Sequence, residues 1–216
     1  MSKNVEKRVF SLSEIKIEKR EDEKPPIITG HAAVFNQKTD LYWFKEEILP
    51  GAFKNAIKKS DIRALFNHDP NIILGRKKSK TLELEEDKKG LAVEITPPET
   101  QLVKDMVLSP MERGDLNQMS FAFTIKEERW IDKKDEPSLR QIVEVDELFD
   151  VSVVTYPAYL TTDASLRAKE MFDEHKNELE SEQERQKEEV RLKEEAEKKQ
   201  NKKDLQLKDL QIKVKQ

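Results

Sequence analysis

GDLNQMSFAF, residues 114–123, sets a hydroxyl inside an apolar, strand-like run. Read with a period of two, Met119, Phe121, Phe123 and Ile125 fall on one face of a strand, and Ser120, Ala122 and Thr124 on the other. The bulky face belongs in a core. The small face leaves space beside it, so Ser120 is either a nucleophile with room for a substrate or a small residue on a wet face. On the residues alone the wet face is preferred, because half-exposed strands often carry Ser and Thr.

The same two-residue rhythm recurs upstream and downstream. RVFSLSEIKIEK alternates as a strand, and PPIITGHAAVFNQ follows as another after a diproline turn. FKEEILPGAFKNAIKK reads as a loop leading into a short helix, with Pro50 and Gly51 near its start. DIRALFNHDP is a strand ending in a turn, and NIILGRKK, TLELEEDKKGLAVEITPP and DLNQMSFAFTIKEERW continue the pattern. ETQLVKDMVLSPMERG is helical by the spacing of Leu102, Met106 and Val107, and RQIVEVDELFDVSVVTYPAY ends in a run apolar enough for a central strand. Many strands with two or three helices predict a mainly β domain, a closed or nearly closed β-barrel with flanking α-helices.

Composition divides the chain. Its 216 residues are 39% charged and 36% hydrophobic, too polar on average for one compact body and consistent with one domain plus an appendage. All five glycines lie at or before Gly114, and the last proline is Pro157. From Leu166 to Gln216 there are 14 Lys+Arg and 14 Asp+Glu in 51 residues, with strong helix formers between them. Between Phe172 and Val190 the only aliphatic residue is Leu179, so the two-per-heptad seam of a coiled coil is missing. A solvated, partly frayed helix is expected in preference to a coiled coil. The final DLQLKDLQIKVKQ regains Leu205, Leu207, Leu210, Ile212 and Val214 and offers an amphipathic end.

Several chemistries are set aside by what is absent. The chain has no cysteine, hence no disulfide, no Cys-based zinc site and no thiol nucleophile. No apolar stretch is long enough to span a bilayer, and the first twenty residues lack the apolar core of a signal peptide, so export is not expected. A net charge of -4 gives no overall attraction for nucleic acid. There is no G-x-S-x-G elbow, no glycine-rich phosphate cradle and no His or carboxylate cluster at metal-ligand spacing.

Three histidines remain. His175 lies in the charged segment and is expected to be solvated. His31, in ITGHAAVF, is expected to be structural. His68, in ALFNHDPNIILG, ends a strand, and alternation sets it on the side of Ala64 and Phe66. Asp69 is explained as the turn residue before Pro70. In ELFDVSVVTYPAY, Leu148, Asp150, Ser152 and Val154 share a face opposite Phe149, Val151 and Val153. A carboxylate in so apolar a strand needs a partner. A structural salt bridge would serve, and so would a histidine whose tautomer it fixes.

Taken in order, ITGHAAVFN, EEILPGAFKNAI, ALFNHDPNIILGR, MSFAF and LFDVSVVTYPAY resemble the prohead (capsid-maturation) proteases of tailed bacteriophages over roughly residues 8–168. That family is similar to the herpesvirus assemblins, serine proteases on a helix-flanked β-barrel. The resemblance implies residues 1–168 as a protease domain and 169–216 as a charged helical tail. It implies Ser120 as nucleophile, His68 as its base and an acid as third member. Matching the apolar strand gives Asp150, with Glu144 in reserve and Asp146 behind it. The oxyanion loop would fall near Pro157 to Leu160, although TYPAYL departs from the assemblin loop. The expected substrates are scaffold or major capsid protein and the chain itself, inside the immature prohead in the host cytoplasm. No cofactor, metal, nucleic acid or membrane partner is expected, whereas a homo-oligomer with a dimer-linked switch is compatible. An inactive assembly scaffold that keeps the fold is the competing expectation.

Overall fold

A computed structural model of the chain describes residues 5–10, 15–18, 26–156 and 162–214. The chain divides into two compact units, residues 1–168 and 169–216. The first is mainly β, with eleven described strands in two sheets.

Two long antiparallel strands, β10 (Gln118–Ile131) and β11 (Leu139–Val154), form the spine of the larger sheet. On the outer edge of β10 lies β1 (Glu6–Phe10). The other edge of β11 takes two strands in parallel: β5 (Lys45–Ile48) along Leu139–Ile142, and β6 (Arg63–Phe66) along Asp150–Val153. Between them the loop and helix from Leu49 to Ser60 cover β11, where Val145 N–H donates to Ala52 O at 2.9 Å and Leu148 N–H to Ser60 Oγ at 3.2 Å. β4 (Thr39–Asp40) extends β5, and β7 (Asp69–Arg76) extends β6. The smaller sheet runs β2 (Lys16–Glu18), β3 (Ile27–Val34), β9 (Gly90–Ile95), β8 (Leu82–Glu86), all antiparallel.

The expected closed barrel is not found: among the described strands the two sheets keep separate ladders, joined by one bridge between Phe35 and Ile48. The apolar core lies between them. Phe121, Phe123, Val151 and Val153 from the larger sheet pack in one cluster with Ile28, Leu91, Val93 and Ile95 from the smaller. Phe53, preceding helix α1 (Lys54–Lys59), meets Phe121 edge-on at 5.4 Å between ring centroids.

Local readings shift in four places. RVFSLSEIKIEK is split between sheets, β1 in the larger and β2 in the smaller. KEEI, read as loop, is strand β5, because parallel pairing to β11 satisfies its backbone. The helical segment runs through α2 (Gln101–Val103), a π-helical turn (Lys104–Leu108) and α3 (Ser109–Arg113). It buries Val103, Val107, Leu108 and Met111, and leaves Leu102 and Met106 exposed, because the wider turn rotates the apolar stripe. In β11 an irregularity leaves Phe149 without a ladder partner, so Leu148 joins Val151 and Val153 in the core instead of sharing the face of Asp150.

A charged cluster is buried at one end of the larger sheet. Arg140 donates to Glu6 through both terminal nitrogens, at 2.9 and 3.0 Å, and to Glu46 at 3.0 Å. Arg8 also bonds Glu46, at 3.0 Å, and Glu128 closes the set on Arg140. Burial alone would raise the Glu6 carboxyl, but the charges of Arg8 and Arg140 outweigh it and hold it below the usual range. These contacts lock the edge strand β1 onto the sheet.

Helix α4 (Thr162–Val214) crosses into the second unit. There Val190 and Leu192 are exposed, and opposite charges pair at helical spacing, as in Lys193–Glu189 at 2.8 Å. No described helix is long and apolar enough to cross a membrane.

Candidate active site

The turn between β6 and β7 has two central residues, Asn67 and His68, and both have positive φ, 51° and 56°. This is the backbone of a tight hairpin turn whose twist matches the strands it joins. Asn tolerates that region well, whereas histidine there is uncommon. Continued strand alternation would have sent His68 to the core side with Ala64 and Phe66. The left-handed turn instead brings its ring to the opposite face of the sheet. The turn therefore falls two residues earlier than the sequence suggested, at Asn67–His68 instead of Asp69–Pro70, and Asp69 begins β7, where its Oδ1 accepts from Asn71 N–H at 2.9 Å.

That opposite face carries the other two groups. Ser120 on β10 pairs with Ser152 on β11, and Ala122 pairs with Asp150, so all four side chains share one side. His68 Nε2 lies 2.7 Å from Ser120 Oγ, and His68 Nδ1 lies 2.7 Å from Asp150 Oδ1. A neutral imidazole with its proton on Nδ1 fits both contacts: Nδ1–H donates to the carboxylate and Nε2 accepts from the serine hydroxyl. The three residues come from sequence positions 52 and 82 apart from the histidine. They meet because β11 takes β10 on one edge and β6 on the other.

The remaining candidates are held elsewhere. Glu144 accepts from Asn55 at 2.8 Å and from Lys126 at 2.9 Å, contacts that hold its carboxyl below the ordinary value. Asp146 accepts from Lys59 at 2.6 Å. His31 pairs with Asp87 at 2.8 Å across the smaller sheet, and His175 is partly buried on α4 where full solvation was expected. Pro157 to Leu160, the expected oxyanion loop, lie outside the described residues. Among the described residues no cluster of His or carboxylates has metal-site form.

Two features were not legible in advance. The small face is not wet: Ser120 is 0% exposed, and Ala122 and Thr124 are 2% exposed. The small side chains beside Ser120 are therefore closed to solvent. The second feature is Ser152, whose Oγ donates to Asp150 Oδ1 at 2.6 Å. The Asp-Val-Ser spacing is its only sequence signal.

Chemically, a hydroxyl on the free nitrogen of an imidazole oriented by a buried carboxylate is the arrangement that activates an alcohol for attack on a carbonyl. Comparison with known proteins agrees in kind. The family model described as caudovirus prohead serine protease matches residues 13–178. No curated protein and no solved structure matches the chain. The matched span holds the whole hydrogen-bonded set and most of the chain, and the protein belongs to the caudovirus prohead serine protease family.

Proposed function

We propose that the chain is an active serine endopeptidase in which Ser120 is the nucleophile, His68 the general base and Asp150 the group that orients His68. The observation that carries this reading is the unbroken hydrogen-bond chain from Ser120 Oγ through both ring nitrogens to Asp150 Oδ1. As Oγ attacks the scissile carbonyl, its proton passes to Nε2. The imidazolium, steadied by Asp150, returns that proton to the departing amine. Water then repeats the sequence on the acyl-enzyme. Backbone amides that stabilise the oxyanion contribute about 3 kcal/mol per donor.

The substrates in this reading are scaffold sequences or the major capsid protein precursor, cut inside the immature prohead, together with the chain itself. Family membership supports a protease role in capsid maturation. The charged tail is read as a segment that directs packaging and is later removed. Coexpression of the wild type or Ser120→Ala with the major capsid protein, followed by mass spectrometry, tests this. New termini in the wild type and none in the variant are expected; identical peptide maps would refute it.

One observation favours a second reading, an assembly protein without activity: Ser120 is fully buried. That reading predicts intact capsid protein and an intact chain in both samples.

A further inference from the structure

The site contains a second hydroxyl to which the reaction above gives no part. Ser152 is fully buried and stands directly opposite Ser120 in the β10–β11 ladder. Its Oγ donates to Asp150 Oδ1 at 2.6 Å, the same oxygen that accepts from His68 Nδ1, and lies 3.3 Å from that nitrogen. We propose that Ser152 is a positioning residue, holding the Asp150 carboxylate correctly rotated so that His68 presents Nε2 to Ser120. The proposal rests on the serine-protease reading.

A carboxylate turns easily about its terminal torsion, and one acceptor contact with a ring does not fix it. A second donor from the same strand, two residues on and therefore on the same face, does. When His68 takes the Ser120 proton, the Nδ1–H finds Asp150 Oδ1 and, at longer range, the Ser152 oxygen.

Ser152 is not a rival nucleophile. Its hydrogen is given to Asp150, and the nearer ring nitrogen, Nδ1, already carries a proton. Ser152 gives a hydrogen bond throughout and transfers no proton. Because it never touches the reacting atoms, its loss should slow Ser120 without removing it.

The test uses full-length wild type, Ser152→Ala, Ser152→Cys and Ser120→Ala with a rhodamine-tagged fluorophosphonate. That probe forms a bond from Ser120 Oγ to phosphorus as fluoride leaves and the hydroxyl proton passes to His68. Labelling by Ser152→Ala should be at least tenfold slower than wild type at neutral pH. Ser152→Cys, similar in volume but a weaker donor, should fall between them, which covers the event that the alanine variant folds poorly. The downfield proton resonance of His68 Nδ1–H should move in both. Wild-type rates and an unchanged resonance in Ser152→Ala or Ser152→Cys would overturn the proposal alone. A wild type labelled no faster than Ser120→Ala would overturn the protease reading beneath it.

Discussion

Asn67 and Thr155 clasp each other twice: Asn67 Nδ2 donates to Thr155 Oγ1 at 3.1 Å, and Thr155 N–H donates to Asn67 Oδ1 at 2.9 Å. A third bond runs from Asn67 N–H to Val153 O at 2.9 Å. The turn that carries His68 is thus tied to the end of the strand that carries Asp150 and Ser152. Asn67→Ala removes the clasp and puts a poorer residue at φ 51°, which should cost about 1–2 kcal/mol of stability. It should slow fluorophosphonate labelling about tenfold. Asn67→Gly restores the backbone freedom without the clasp, so it should recover stability and leave labelling slow. If glycine restored both, the clasp would have no part in holding His68.

Acid should loosen the edge of the larger sheet. The Glu6 carboxyl sits below its ordinary value of 4.5 because Arg8 and Arg140 outweigh the effect of burial. A group lowered on folding stabilises the folded state at pH above its unfolded value, and that contribution disappears as pH falls through the folded value. Stability measured by urea unfolding should therefore be flat above about pH 5 and decline below 4.5. Glu6→Gln should flatten part of that decline. Arg140→Ala, which leaves the buried Glu6 and Glu46 to share Arg8, should cost about 3–5 kcal/mol at neutral pH; a loss under 1 kcal/mol would mean the cluster is solvated.

At Gly90 the backbone of β3 leaves no room for a side chain. A Cβ there would come within 1.9 Å of Ala33 O, which is main chain and cannot swing aside. Gly90→Ala should lower stability by about 2–3 kcal/mol and the melting temperature by about 6–10 °C. Gly51→Ala provides the contrast, since nothing lies within 4 Å of its Cβ and only the positive φ of 96° opposes it. Its cost should be about 1 kcal/mol, and equal losses at the two sites would argue against a steric cause at Gly90.

Removing residues 170–216 should leave the β unit standing. The melting temperature should change by no more than about 2 °C, because that unit has its own core. Incorporation of the truncated chain into proheads, measured by gel of purified particles, should fall sharply if the tail directs packaging. Undiminished incorporation would leave the tail without that role.

The bulky side of β10, the helical character of the stretch after Thr100 and the highly charged end were all legible as local patterns, because residue type and spacing record which strand face is apolar and which segments favour a helix. His68, Ser120 and Asp150 stand in the motifs that carry the family resemblance, with Glu144 in reserve for the acid. Local pattern could not give the partners of β11. Long-range pairing places β5, β6 and β10 around that strand, leaves two sheets where a closed barrel was expected, and shifts parity at Phe149. Nor could alternation give the direction of His68, because a turn with two positive φ angles reverses what a strand would predict. The sequence by itself determined which chemical groups are present and which strand faces are apolar. Only the folded chain brings a hydroxyl, an imidazole and a carboxylate together, because β11 pairs with β10 at Ser152–Ser120 and with β6 at Asp150–Arg63, strands that lie far apart in the sequence.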